Sequence, residues 1–248
     1  MSVRRFMIHS SCIRDGYADI AGDVYGHIVR VLRLGVGALV QLVDETGALY
    51  NGTISSITKN RAEIALSLLP AADSGQTTAP RITICQALPK GDRIDLILQK
   101  CTELGAHDFC LFGGRRSVAK VREEQRAGKL ERWRKITSEA ARQCGRSDVP
   151  PVSWFPSALD AAADADQQLR LILWEGEREH SLKQTLTGRE KPASAVVAIG
   201  PEGGFDPLEV EQFIRQGFQP VSLGSRILRT ETAGIAILAV MQYMWDGI

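Results

Sequence analysis

The stretch Ile199-Gly200-Pro201-Glu202-Gly203-Gly204-Phe205 decides the fold when read with a second one, Leu223-Gly224-Ser225-Arg226-Ile227-Leu228-Arg229-Thr230-Glu231-Thr232-Ala233. Each follows a short apolar run that reads as a buried strand, residues 195–199 and 220–223, and each leads into a helical pattern. Such strand–loop–helix corners belong to an α/β domain with a mostly parallel sheet covered on both faces. Glycine lets backbone approach a ligand closely and reach positive φ. Two such corners therefore point to a small-molecule pocket at the carboxyl ends of the strands. No Gly-Lys-Ser/Thr follows either loop and neither is GxGxxG, so the common phosphate and dinucleotide readings fail.

Upstream, the alternation continues. Residues 81–88 read as a strand, and Asp92 reads as the cap of a helix that Gly105 ends. Ile94, Ile97, Leu98, Cys101 and Leu104 share one face of that helix. A strand at 109–112, a long helix from about 123 to 144, a strand at 169–174 and a short helix near 181–186 come next. Asp206-Pro207-Leu208-Glu209 combines a capping box with Pro at the first helical position. Thr230 reads as the N-cap of the last helix, with Glu231 in its first turn. The body of that helix, 233–244, is apolar nearly all round, as a core or interface helix would be. Residues 1–70 are β-rich, with segments 36–43, 49–57 and 62–68, turns at 44–47 and 59–61, and a short helix at 27–34. This pattern suits a small closed or nearly closed barrel. The polar, Pro-bounded run 70–80 reads as a linker.

A chain of 248 residues, 44% hydrophobic, can bury a core as one large domain or two. Its net charge of +1 excludes a globally basic protein, but the distribution is uneven: eleven Lys/Arg against four acids between Arg115 and Arg146 give +7. By itself that stripe suits a solvated helix face first and a phosphate backbone second. Five cysteines without CxxC spacing read as reduced thiols, four scattered histidines make no metal motif, and no apolar run reaches membrane length.

Together with Leu88-Pro89-Lys90-Gly91-Asp92-Arg93, Gln99-Lys100-Cys101-Thr102-Glu103-Leu104-Gly105, Glu139-Ala140-Ala141-Arg142-Gln143-Cys144-Gly145-Arg146 and, more weakly, His27-Ile28-Val29-Arg30-Val31-Leu32-Arg33, the two loops resemble a known class. The chain is similar to SPOUT-class RNA methyltransferases, and within them to the family that methylates N3 of a uridine in 16S ribosomal RNA. The resemblance implies an α/β trefoil-knot methyltransferase domain at 81–248 with a mostly parallel sheet. It also implies a linker at 73–80 and a PUA-like RNA-binding β-barrel at 1–72. Periodicity alone would draw an unknotted sheet.

The implied cofactor is S-adenosylmethionine. Three strand ends would hold it: Leu173, Trp174 and Glu175; Ile199, Gly200, Pro201, Glu202, Gly203 and Gly204; and Leu223, Gly224, Ile227, Leu228, Arg229 and Thr230. A branched side chain at Gly203 is expected to exclude it. Arg142 and Arg146, one turn apart at the end of the long helix, put two guanidinium forks on one face that can hold phosphate or polarise a uracil oxygen, or can simply be solvated at a helix end. The resemblance puts them, with Gln143, in the active-site region. Glu202 is a candidate proton acceptor, although a helix-start carboxylate is often only a cap. Arg4, Arg5, Arg30, Arg33, Arg116 and Lys120 are the expected RNA contacts. A homodimer through the last helix, a small-subunit ribosomal RNA substrate in an assembling or assembled 30S particle, a cytoplasmic location and no metal complete the expectation. A non-enzymatic assembly factor and a SPOUT enzyme acting at another RNA position are the alternatives.

Overall fold

Short alternating segments at the start of the chain pair into a mixed sheet around a small apolar centre. The computed structural model describes residues 4–44, 48–68, 79–146 and 148–247. Strands β1 (Arg4–Met7), β2 (Ile13–Arg14), β3 (Tyr17–Ala21), β4 (Leu39–Val43), β5 (Leu49–Ile57) and β6 (Arg61–Leu68) lie in the order β1-β4-β5-β6-β3-β2. Of these pairings only β1 with β4 is parallel. Among the described residues the outer edges of β1 and β2 are unpaired, so the sheet is a half-barrel, with Phe6, Ile20, Tyr25, Ile28, Leu42, Ile54 and Ile64 in its core. The helix expected at 27–34 instead begins as α1 (Gly22–Tyr25) and widens into a π-type turn over Gly26–Val31. There the Leu32 amide donates to the His27 carbonyl five residues back, a spacing that a 3.6-residue period does not detect. The expected linker lies outside the described residues from 73 to 78.

The second unit is a doubly covered parallel sheet. Its strands are β7 (Arg81–Ala87), β8 (Asp108–Phe112), β9 (Val152–Phe155), β10 (Leu169–Leu173), β11 (Ser194–Ile199) and β12 (Gln219–Val221), ordered β12-β10-β11-β7-β8-β9. The helices are α2 (Arg93–Glu103), α3 (Glu123–Cys144), α4 (Ala158–Asp164), α5 (Leu182–Leu186), α6 (Pro207–Arg215) and α7 (Thr230–Met244). Alternate strand residues divide between two cores. Ile82, Ile84, Val197 and Ile199 face one core, with Ile97, Trp133, Leu186 and Ile237 from α2, α3, α5 and α7. Cys85, Ala87, Val196 and Ala198 face the other, with Ala161 of α4 and Phe213 of α6. Strand β9 and helix α4 carry weak signals, and sequence reading missed both. After β12 at one edge, α7 returns to pack on α2 and on the central strands β7 and β11. A trefoil knot requires this return, and pattern alone does not show it.

The compact units differ from the sequence division in one respect. Residues Ala141–Val149, which comprise the last turn of α3 and the short segment beyond it, belong to the first unit. Arg5 Nη1 donates to the Gly145 carbonyl at 3.1 Å within it.

Candidate cofactor and substrate site

Three parallel strands end side by side. Leu173 of β10 pairs with Ile199 of β11 on one side and Val221 of β12 on the other. The loops that leave these residues, 174–181, 200–206 and 222–229, therefore start from one rim, the usual ligand position in an α/β sheet.

The first glycine loop is set by its glycines unequally. A Cβ on Gly204, whose φ is +68°, would fall 2.1 Å from Glu175 Oε1. One on Gly200 would meet the Phe205 amide nitrogen at 3.1 Å. A Cβ on Gly203 would make only ordinary contact, 3.4 Å from Arg116 Cβ. Of the loop glycines it is Gly204, at its left-handed φ, whose Cβ would collide with a side chain of the β10 loop, while a Cβ at Gly203 would collide with nothing. The Gly204 amide closes a turn onto the Pro201 carbonyl at 3.0 Å. Asp206 then caps α6 through the Leu208 amide at 3.0 Å, and Glu209 returns a bond to the Asp206 amide, as the capping box required.

Glu202 reaches from the loop to the start of α2. Its Oε1 accepts from the Lys90 amide at 2.8 Å and from the Arg93 guanidinium. Burial pushes this carboxyl up, but the amides of Glu202 and Lys90 and the Arg93 charge outweigh it and leave the pKa below its ordinary value. A carboxylate so held binds a proton poorly, which favours an anchor over a base.

Thr230 is the first residue of α7, with Arg229 at the N-cap position. The hydroxyl expected to cap the helix is turned away: it donates to the Gly200 carbonyl at 2.7 Å and accepts from Gln86 Nε2 at 2.9 Å. Asp92 also precedes its helix without capping it; its carboxylate lies 3.5 Å from Arg132. In the second loop Gly224 has φ +120° with open space around it, and Ile227 is 87% exposed. Among the described residues, no amide from Leu223 to Leu228 donates a hydrogen bond. Glu175 is an exposed carboxylate with no partner among them either. Free amides, a free carboxylate and an apolar side chain are the groups that a cationic nucleoside cofactor uses. The residues fit it.

The RNA methyltransferase domain family matches residues 77–242, and the RNA methyltransferase PUA domain family matches residues 20–67. The ribosomal RNA small subunit methyltransferase E of Bacillus subtilis is 32% identical over 92% of this chain and 90% of its own. That of Synechocystis is 34% identical over 89% and 71%. The chain belongs to the ribosomal RNA small subunit methyltransferase E family. Among solved structures, the methyltransferase E of Neisseria gonorrhoeae bound to S-adenosylmethionine is 30% identical, covers 98% of each chain and has a TM-score of 0.83. A Legionella pneumophila methyltransferase solved with the same cofactor has 27% identity, 98% coverage of both chains and the same score. The second unit therefore carries the SPOUT-type fold.

The remaining expected residues of this methyltransferase family lie elsewhere or are already engaged. Arg142, Gln143 and Arg146 sit in the first unit, so the three glycine-loop ends and these residues are not one cluster of the second. Arg142 and Gln143 are exposed on the last turn of α3. Arg146 lies past the helix: Gly145 turns at φ +78°, the Arg146 amide caps the Ala141 carbonyl at 3.0 Å, and the guanidinium grips Asp148 with two bonds. The one-face arginine pair expected from helical spacing is thus broken by the helix end. Arg116 donates to the Gly203 carbonyl at 3.2 Å, bracing the loop. Arg5 holds Gly145, and Arg30 lies 5.7 Å from the Tyr25 ring centre. Arg4, Arg33 and Lys120 are exposed. Sequence reading missed Gln86 and Arg93 as loop supports, although Arg93 lies in a quoted motif.

Proposed function

We propose that this chain binds S-adenosylmethionine at the rim formed by Leu173, Ile199 and Val221 and methylates N3 of a uridine in small-subunit ribosomal RNA. The in-register strand ends and, among the described residues, the unpaired amides of residues 223–228 carry the reading, supported by cofactor-bound relatives of the same family. The cofactor supplies an electrophilic methyl on sulfur. With S-adenosylmethionine bound, uracil N3 would lose its proton to solvent water, its electron pair would form the N–CH3 bond, and the S–CH3 pair would return to sulfur.

This chain's part is alignment and charge. Gly204, Gly200 and the free amides of 223–228 position the nucleoside, and Glu175 faces its cationic end. Arg142, Gln143 and Arg146 stabilise the uracil anion, since an arginine fork suits a developing oxyanion and never serves as a base. Glu202 anchors the first loop. The first unit, 1–72, binds RNA, with Arg4, Arg5, Arg30 and Arg33 meeting phosphate, and Arg116 and Lys120 do so in the second. The particle met is an assembling or assembled 30S subunit in the cytoplasm. A homodimer forms through α7, which buries Ala233, Ile237, Leu238 and Met241 but leaves Val240, Tyr243 and Met244 exposed. Mass-spectrometric mapping of 16S ribosomal RNA from cells with and without the protein tests the reaction. Loss of one 3-methyluridine is expected. An unchanged nucleoside profile would refute it.

A further inference from the structure

We infer that Arg93 is a positioning residue of the cofactor site: it locks the first glycine loop to the first turn of α7. The inference rests on the S-adenosylmethionine reading above. Arg93 opens α2, at the end of the Leu88–Arg93 motif, and its guanidinium meets two carboxylates from distant segments. One nitrogen, Nη1, donates to Glu202 of the loop, and Nε lies 3.8 Å from Glu231 Oε1 in α7. The adjacent Lys90 amide fixes the same Glu202 oxygen, so motif backbone and motif side chain act on one point. A second, buried tie joins the same two segments: Thr230 to the Gly200 carbonyl, with Gln86 bridging both. Arg93 is the outer clamp and Thr230 the inner one.

The charges make the outer clamp decisive. The Glu231 side chain is 13% exposed, and its Oε2 has no hydrogen-bond partner among the described residues. Without Arg93, the Glu202 and Glu231 carboxylates would lose the cation they share, with Glu231 mostly withdrawn from water. Attraction would be lost where the loop must stay closed. Arg93 needs both ends of its planar fork for this, which a lysine ammonium cannot reproduce.

Calorimetric titration of S-adenosylmethionine into the full-length protein tests this. Arg93→Met should weaken binding about tenfold or more and raise KM for the cofactor, with kcat at saturating cofactor within about twofold. Arg93→Lys should recover part of the affinity. Glu202→Gln should weaken binding comparably, and the double variant should be no worse than either single one. Arg132→Met removes the neighbouring Asp92 and Asp95 pairs of α2 and should leave affinity unchanged, separating loop positioning from helix support. If Arg93→Met does not fold, Glu202→Gln and Arg93→Lys decide alone. A parent that binds the cofactor while Arg93→Met binds within twofold of it, or additive effects of Arg93 and Glu202, overturns the inference. A parent that does not bind overturns the cofactor reading itself.

Discussion

Gly204→Ala gives the sharpest test of the site, because two separable costs meet at one methyl group. The first is conformational. At φ +68° an alanine pays about 1–2 kcal/mol that glycine does not. For a unit of this size that lowers Tm by roughly 2–8 °C. The second is steric: the new Cβ would lie 2.1 Å from Glu175 Oε1 and 2.9 Å from its Cδ. Glu175 is exposed at the far end of a flexible side chain, so it swings aside at little cost to the fold. It thereby leaves the position proposed to face the cofactor. The expected outcome is a folded protein melting a few degrees lower, with S-adenosylmethionine affinity reduced at least about tenfold by calorimetry. Gly203→Ala is the control, since its Cβ meets only Arg116 at 3.4 Å, and it should bind and melt like the parent. In the double variant Gly204→Ala with Glu175→Ala, the affinity losses should be less than additive. Parent-like affinity in Gly204→Ala, or a larger loss in Gly203→Ala, would refute the assignment of the close approach to Gly204.

Arg142→Ala and Arg146→Ala should cut methylation of ribosomal RNA severely and leave cofactor affinity within a few-fold. Arg146→Lys should recover little because it cannot grip Asp148 with two bonds. Glu202 has a lowered folded-state pKa, so its stabilisation is present above the ordinary carboxyl range and is lost as pH falls through the folded value; Glu202→Gln should flatten that acid limb in melts taken from neutral to acid pH. Lys120→Ala should lower the slope of log RNA affinity against log salt by somewhat under one unit, and an unchanged slope would remove that residue from the interface. Burial pushes the Cys101 and Cys110 thiols up to about 12 and raises Cys85 well above its ordinary value, whereas Cys144 is exposed; maleimide in native buffer should label Cys144 first and the other three only after unfolding.

Local chemistry explains what could be read without coordinates. Asp206-Pro207-Leu208-Glu209 forms its capping box because all its partners lie within three residues. Gly105 ends α2 at φ +88°, and Ile94, Ile97, Leu98 and Cys101 bury the face their spacing announced. Alternating strand and helix signals sufficed for a parallel α/β unit preceded by a β-rich one. The two glycine loops, together with the motifs that accompany them, sufficed for the methyltransferase family.

Long-range partners account for the rest. Thr230 and Asp92 stand where helix caps should stand, yet the Thr230 hydroxyl goes to a carbonyl thirty residues away, and Asp92 faces an arginine of another helix. Helical spacing put Arg142 and Arg146 on one face, but a left-handed Gly145 ended the helix between them. Close packing then joined that end to the first unit rather than the second. Gly203 and Gly204 are alike in sequence; the left-handed turn at Gly204 and the arrival of Glu175 from the neighbouring strand's loop set them apart. The sequence by itself determined the elements, their order and the chemical class of the loops, because propensity, capping and periodicity act over a few residues. The tertiary structure alone decided which polar groups meet, since a buried donor takes whichever acceptor the fold brings within reach, and sequence distance has no part in that choice.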